Sequence, residues 1–179
     1  MLVVAAPSPA RGQVPAHVEV IPTVGYFDLR GDADSGLFVN EDALAYQLRV
    51  GLVFSGNWGI EGYGGIIPSH FGKELGERHS TTSYVLGGTG TYRFANESSF
   101  TPFVVAGAEI MDLDASDGEA EANPSLVYGA GLQLSTSRKL ALRLEARGHH
   151  AQVTGRSGDG DLWLDHFEYS LGLVWRPWD

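Results

Sequence analysis

The chain has 179 residues, enough for one domain, and its formal net charge of −10 leaves no basic stripe to neutralise a nucleic-acid backbone. It contains no cysteine, which excludes a disulfide framework, thiol catalysis and thiolate metal ligands. Its 24 glycines, about twice the usual share, recur inside apolar segments and point to curved strands.

Residues 1–16, MLVVAAPSPARGQVPA, read as a signal-peptide remnant or a disordered tail, because an apolar stretch is followed by small residues at Ser8 and Ala10. No run of 18 apolar residues occurs, so a transmembrane helix is not expected; a transmembrane barrel, with its weaker strand signal, stays open. From residue 17 to 179 the expected domain is a barrel, because eight segments alternate with period two. Residues 17–29 carry Val18, Val20, Val24 and Tyr26 on one face, and 45–54 set Tyr46, Leu48, Val50 and Leu52 against Gln47 and Arg49. Residues 58–67 oppose Trp58, Ile60 and Ile66 to Glu61 and Tyr63, and 83–94 oppose Tyr84, Leu86 and Tyr92 to Thr89, Thr91 and Arg93. In 100–113 the apolar face holds Val104 and Ile110 against Glu109, and in 125–134 Leu126, Tyr128 and Leu132 face away from Gln133.

The seventh segment, KLALRLEARGHH (139–150), is helical by residue preference, but a helical wheel gives it no apolar side. With period two, Leu140, Leu142, Leu144 and Ala146 share one face, and Arg143, Glu145, Arg147 and His149 share the other. The eighth, 165–176, alternates Phe167, Tyr169, Leu171, Leu173 and Trp175 with His166, Glu168, Ser170 and Arg176. These segments have roughly the 9–11 residues that a tilted strand needs to cross a bilayer. Short polar connections at 55–57, 95–99 and 135–139 alternate with long ones at 30–44, 68–82, 112–124 and 150–164. That layout predicts an all-β, eight-stranded, antiparallel up-and-down transmembrane β-barrel with both termini on the short-turn side.

The apolar face could line the interior of a soluble, lipocalin-like carrier or face lipid. Aromatic residues decide for lipid, since Tyr26, Tyr46, Phe54, Trp58, Phe94 and Trp175 cluster near strand ends, as in interfacial girdles. The other face then fills the lumen. It carries Arg49, Arg93, Arg143 and Arg147 against Glu19, Glu61, Glu109, Glu145 and Glu168. In a barrel of eight strands there is room only for packed side chains, so Arg49, Glu61, Arg93, Glu109, Arg143, Glu145, Arg147 and Glu168 are expected to form a lumen charge network that leaves at most a narrow pore. Arg143 and Arg147 should find Glu61, Glu109 or Glu168 across the barrel.

The segments YQLRVGLVFSGNWGIEGYGG (46–65), TPFVVAGAEI (101–110), LVYGAGLQLS (126–135), LALRLEARGHH (140–150) and FEYSLGLVWRPW (167–178) together resemble small outer-membrane β-barrels of the OmpA-like transmembrane-domain and OmpX type. The resemblance implies a Gram-negative outer-membrane location with long loops extracellular and both termini periplasmic. It also implies contact with outer-membrane lipid and lipopolysaccharide, and insertion through recognition of the carboxy-terminal strand, although Pro177 and Asp179 depart from the usual aromatic ending. A monomer with a structural or surface-interaction role, no cofactor and no nucleic-acid partner is expected.

Enzyme chemistry is the alternative. Outer-membrane lipid A deacylases of this size carry a His-x-Ser pair, in which histidine takes the serine proton; His149 is followed two residues later by Ala151, so no catalytic residue is assigned and His149 and His150 read as an interfacial pair. Acids cluster at Asp112, Asp114, Asp117, Glu119 and Glu121 and again at Asp159 and Asp161, but they lack the spacing of a calcium loop, and solvated loop charge is expected without a metal site.

Overall fold

A computed structural model of the chain describes residues 16–28, 43–54, 57–72, 78–94, 98–112, 122–154 and 161–178. The expectation for residues 1–16 therefore falls, except for Ala16, outside the described residues. Eight strands follow in chain order: β1 (His17–Asp28), β2 (Ala43–Val53), β3 (Trp58–Gly72), β4 (Arg78–Arg93), β5 (Phe100–Asp112), β6 (Ala122–Ser135), β7 (Leu140–Thr154) and β8 (Asp161–Trp175). Each pairs antiparallel with its chain neighbours, and β8 returns to β1 to close the barrel. Among the described residues there is no helix.

Alternation sets the wall. In β2 every odd residue from Ala43 to Val53 is buried and every even one is exposed, and β7 repeats the pattern from Ala141 to Arg147. The exposed side is apolar, with Leu48, Ile60, Leu86, Leu132, Leu144 and Leu171 all turned outward. A soluble carrier with an apolar interior is thereby ruled out, because the apolar faces point away from the lumen. Around the short-turn end the outer surface is ringed by Phe54, Trp58, Phe94, Phe100 and Trp175, and nearer the other end by Tyr26, Tyr46, Tyr84, Tyr128 and Tyr169. On β2 the step from Tyr46 to Phe54 is about 26 Å along the strand at roughly 3.3 Å per residue. A tilt of about 35–45° reduces this to roughly 20 Å of height, an apolar band of bilayer dimensions. Trp58 and Tyr92 meet edge to face in the lower ring, with centroids 4.8 Å apart.

The long connections are shorter than the sequence suggests. Residues 68–72 and 78–82 belong to β3 and β4 and stay paired from Pro68↔Thr82 to Gly72↔Arg78, and 151–154 pair with 161–164. Beyond the bilayer the outer side of a strand faces water, so the apolar alternation stops although the ladder continues. One interruption lies at the seam: β1 pairs with β2 without a break, but its ladder to β8 omits Ile21 and Pro22, and a proline has no N–H to give.

Candidate functional site

The inward face is not uniformly charged. Between two apolar layers lies a set of paired charges whose place follows from strand order. On β7, Ala141 precedes Arg143, Glu145, Arg147 and His149; on β2, Ala43 and Ala45 lie beyond Gln47 and Arg49. The inner layer toward the short turns is Ile21, Ala141 and Val174, and the layer at the other end is Phe27, Ala43, Ala45, Ile67 and Met111. Apart from Ala141, which alternation puts beside Arg143, apolar residues on the charged face were not anticipated from the sequence.

Arg143 donates from Nη1 to Glu61 Oε1 at 2.6 Å and from Nε to Glu145 Oε2 at 3.1 Å. Arg49 donates to Glu145 Oε2 at 2.6 Å, to Glu168 Oε1 at 3.1 Å and to Gln47 Oε1. Arg147 Nε donates to Glu145 Oε1 at 2.7 Å, while its Nη2 stands 3.8 Å from Glu61 Oε2. Glu145 thus receives three arginines. The charged residues among these are between 0 and 5% exposed, so each ion pair is shielded from solvent and its partner charge decides whether burial is tolerable.

Six of the eight residues singled out from the sequence, Arg49, Glu61, Arg143, Glu145, Arg147 and Glu168, meet in this one set. Arg93 does not join it. It lies at the short-turn rim and donates to Glu19, which also accepts from Arg176 Nε at 3.0 Å and lies 3.2 Å from His17 Nε2. Among the described residues Glu109 meets no arginine. Its Oε1 is 2.6 Å from His149 Nδ1, and its Oε2 accepts the Tyr63 hydroxyl at 2.8 Å.

His149 therefore corrects the expectation of an interfacial pair. It points into the lumen and is 1% exposed, whereas His150, on the opposite face of the same strand, meets Asp165 outside at 2.6 Å. The alternation that sorted the leucines already put His149 with Arg147, and it also carried Gln47, Tyr63 and Thr91, which Arg49, Glu109 and Glu61 engage as hydrogen-bond partners. The acidic side chains from Asp112 to Glu121 and at Asp159 and Asp161 lie outside the described residues.

Aromatic rings and glycines complete the packing. The Arg143 guanidinium lies over Phe103 at 4.2 Å and that of Arg147 over Tyr63 at 4.9 Å. Phe103 occupies the space where Gly131 would carry a Cβ, and Tyr63 comes within 2.6 Å of the same point at Gly87. The large side chains of β3 and β5 thus pack against glycines on the neighbouring strands β4 and β6. Chemically the arrangement is a set of mutually neutralised ions. Both nitrogens of His149 face carboxylates, with Nε2 3.4 Å from Glu168, and among the described residues neither is bonded to a hydroxyl nucleophile.

The sequence profile of the outer membrane protein beta-barrel domain matches residues 1–176. The crystal structure of Neisserial surface protein A (NspA) is similar over 93% of this chain and 99% of its own, with a TM-score of 0.64 and 12% identity. OprG from Pseudomonas aeruginosa matches over 92% of this chain and 96% of its own (TM-score 0.62, 13% identity). The amino-terminal barrel of Pseudomonas aeruginosa OprF matches over 89% and 98% (TM-score 0.54, 12% identity). At these identities the likeness is one of fold. A search of curated protein sequences gave no match. Closed on itself, apolar outside and ringed by aromatics, this chain belongs to the outer membrane protein beta-barrel domain family and is a β-barrel of Gram-negative outer membranes.

Proposed function

We propose that the barrel is a monomeric structural and surface-interaction protein whose lumen does not serve as a pore. The observation that carries this reading is the paired charge set that fills the middle of the lumen, with buried apolar side chains on either side of it along the barrel, so that a passing ion meets no unpaired counter-charge among the described residues. The long connections, rich in Asp and Glu, are the extracellular face, and both termini are periplasmic. The lipid-facing leucines and aromatic rings contact outer-membrane lipid and lipopolysaccharide, and β8, with Tyr169, Leu171, Leu173 and Trp175 outward, presents itself to the insertion machinery. Nothing in the acidic composition favours a nucleic-acid partner.

Planar-bilayer recording tests the lumen: the refolded protein should give no conductance steps of porin size, and stable large steps would reject the reading. Orientation is tested on intact cells, where a thiol introduced by Asp117→Cys should react with a membrane-impermeant reagent and one introduced by Ser137→Cys should not. A lipid A deacylase is the competing reading. It is disfavoured by the inward turn of His149 and by alanine at position 151, and lipid A incubated with the refolded protein should stay intact.

A further inference from the structure

His149 and His166 stand directly opposite each other on β7 and β8, and both are buried in the lumen. His149 is set between two carboxylates, hydrogen-bonded to Glu109 at 2.6 Å and 3.4 Å from Glu168 without a hydrogen bond, so the two anions favour a cationic ring. Among the described residues His166 has no hydrogen-bond partner on either nitrogen. The Phe27 ring lies against both, 4.8 Å from the His149 centroid and 6.2 Å from that of His166. Phe27 belongs to the outer apolar layer with Ala43, Ala45, Ile67 and Met111.

We propose that this outer layer is a proton-responsive closure whose latch is the His149–His166 pair. With His166 neutral, its ring packs on Phe27 as one more flat surface of the layer. A proton on His166 creates a second cation beside His149 in a buried place, where a charge without a hydrogen-bonded partner is costly.

The charged groups that face His166 from the elements around it do not relieve this cost in place. On β5, Glu109 already holds His149 and Tyr63; on β8 itself, Glu168 holds Arg49 and faces His149. Asp165 lies on the other side of the strand against His150, and Asp28 ends β1 toward the outer mouth. Arg147, one inward position deeper on β7, adds a further cation. The protonated ring is therefore drawn off Phe27, away from the His149 and Arg147 cations, and the layer loosens. The arginine–glutamate set below stays in place, so the closure exposes the upper lumen without making a through-pore.

Because the chain has no cysteine, Met111→Cys puts a single thiol in the layer and Ser99→Cys a reference thiol at an exposed turn. In lipid nanodiscs, accessible from both sides, the ratio of their reaction rates with a charged thiosulfonate removes the pH dependence of thiol chemistry itself. Between about pH 7.5 and about pH 3, a span that runs far enough below the ordinary imidazole pKa of roughly 6.5 to cover the cost of a second buried cation, the ratio should rise at least ~5-fold. With His166→Phe added, or His166→Gln should the first variant not fold, it should stay flat. A flat ratio with His166 present, or an equal rise without it, would overturn the proposal.

Discussion

Arg143 and Glu61 are 82 positions apart in the chain, and their side chains meet inside the barrel with Nη1 2.6 Å from Oε1. Each belongs to a strand whose other face is apolar, so the pair joins two opposite parts of the wall through its interior. Removing one member strands the other as a buried charge. Arg143→Met is expected to cost about 3–5 kcal/mol of folding stability, read from denaturant titration of folded and unfolded bands in lipid vesicles. Arg143→Met combined with Glu61→Leu should cost less than the two single changes added together; strict additivity would mean that the two side chains do not interact.

Leu144 is 58% exposed on the barrel's outside and sits between the two aromatic rings. Leu144→Arg places a charge near the middle of the apolar band and should cost about 2–4 kcal/mol on refolding into lipid. Leu142→Arg should act in the same direction. A neutral result would mean that the leucines do not face lipid.

Two glycines separate space from its absence. At Gly131 an added methyl would run into the Phe103 ring, which carries the Arg143 guanidinium, whereas at Gly62 it would meet nothing within 4 Å. Gly131→Ala should therefore destabilise by about 1–3 kcal/mol through overpacking. Gly62→Ala should fall within about 0.5 kcal/mol of the parent. Equal effects in a thermal band-shift assay would contradict the close packing of Phe103 on β6.

At the short-turn rim, Glu19 is wholly buried and accepts from Arg93 and Arg176, while the Arg176 amide donates to Lys139 O. Glu19→Gln keeps an acceptor but loses its charge, at an expected cost of about 1–3 kcal/mol. Hydrogen exchange should show the Arg176 amide exchanging faster in the variant, because the end of β8 has lost its side-chain tie to β1. Unchanged exchange would show that the backbone bonds hold that end alone.

Period-two alternation made the strands and both faces legible, since Leu142 and Arg143 can differ in burial only if the backbone is extended. It failed where its physical basis ends. Residues 68–72 and 151–154 continue their strands above the bilayer, where no solvent contrast marks the two faces. The apolar inward residues were hidden for a related reason: Phe103 and Val105 lie in the run PFVVA, whose two faces are equally apolar. Which glutamate each arginine takes was beyond reach, because stagger between distant strands decides it. Glu109 went to His149 and Tyr63, and Glu61 to Arg143.

The sequence distances inside the lumen bear on the order in which the molecule can come together. Arg49 waits for Glu168, 119 residues later, and Glu61 for Arg143, 82 residues later. A chain synthesised from its amino end holds these charges unmatched through six strands. Only the arrival of β7 and β8 neutralises them, and partly assembled sheets gain little from the lumen until then. The final two strands thus convert a strip of mismatched ions into a closed wall in one step, which makes a half-built barrel a poor stopping place.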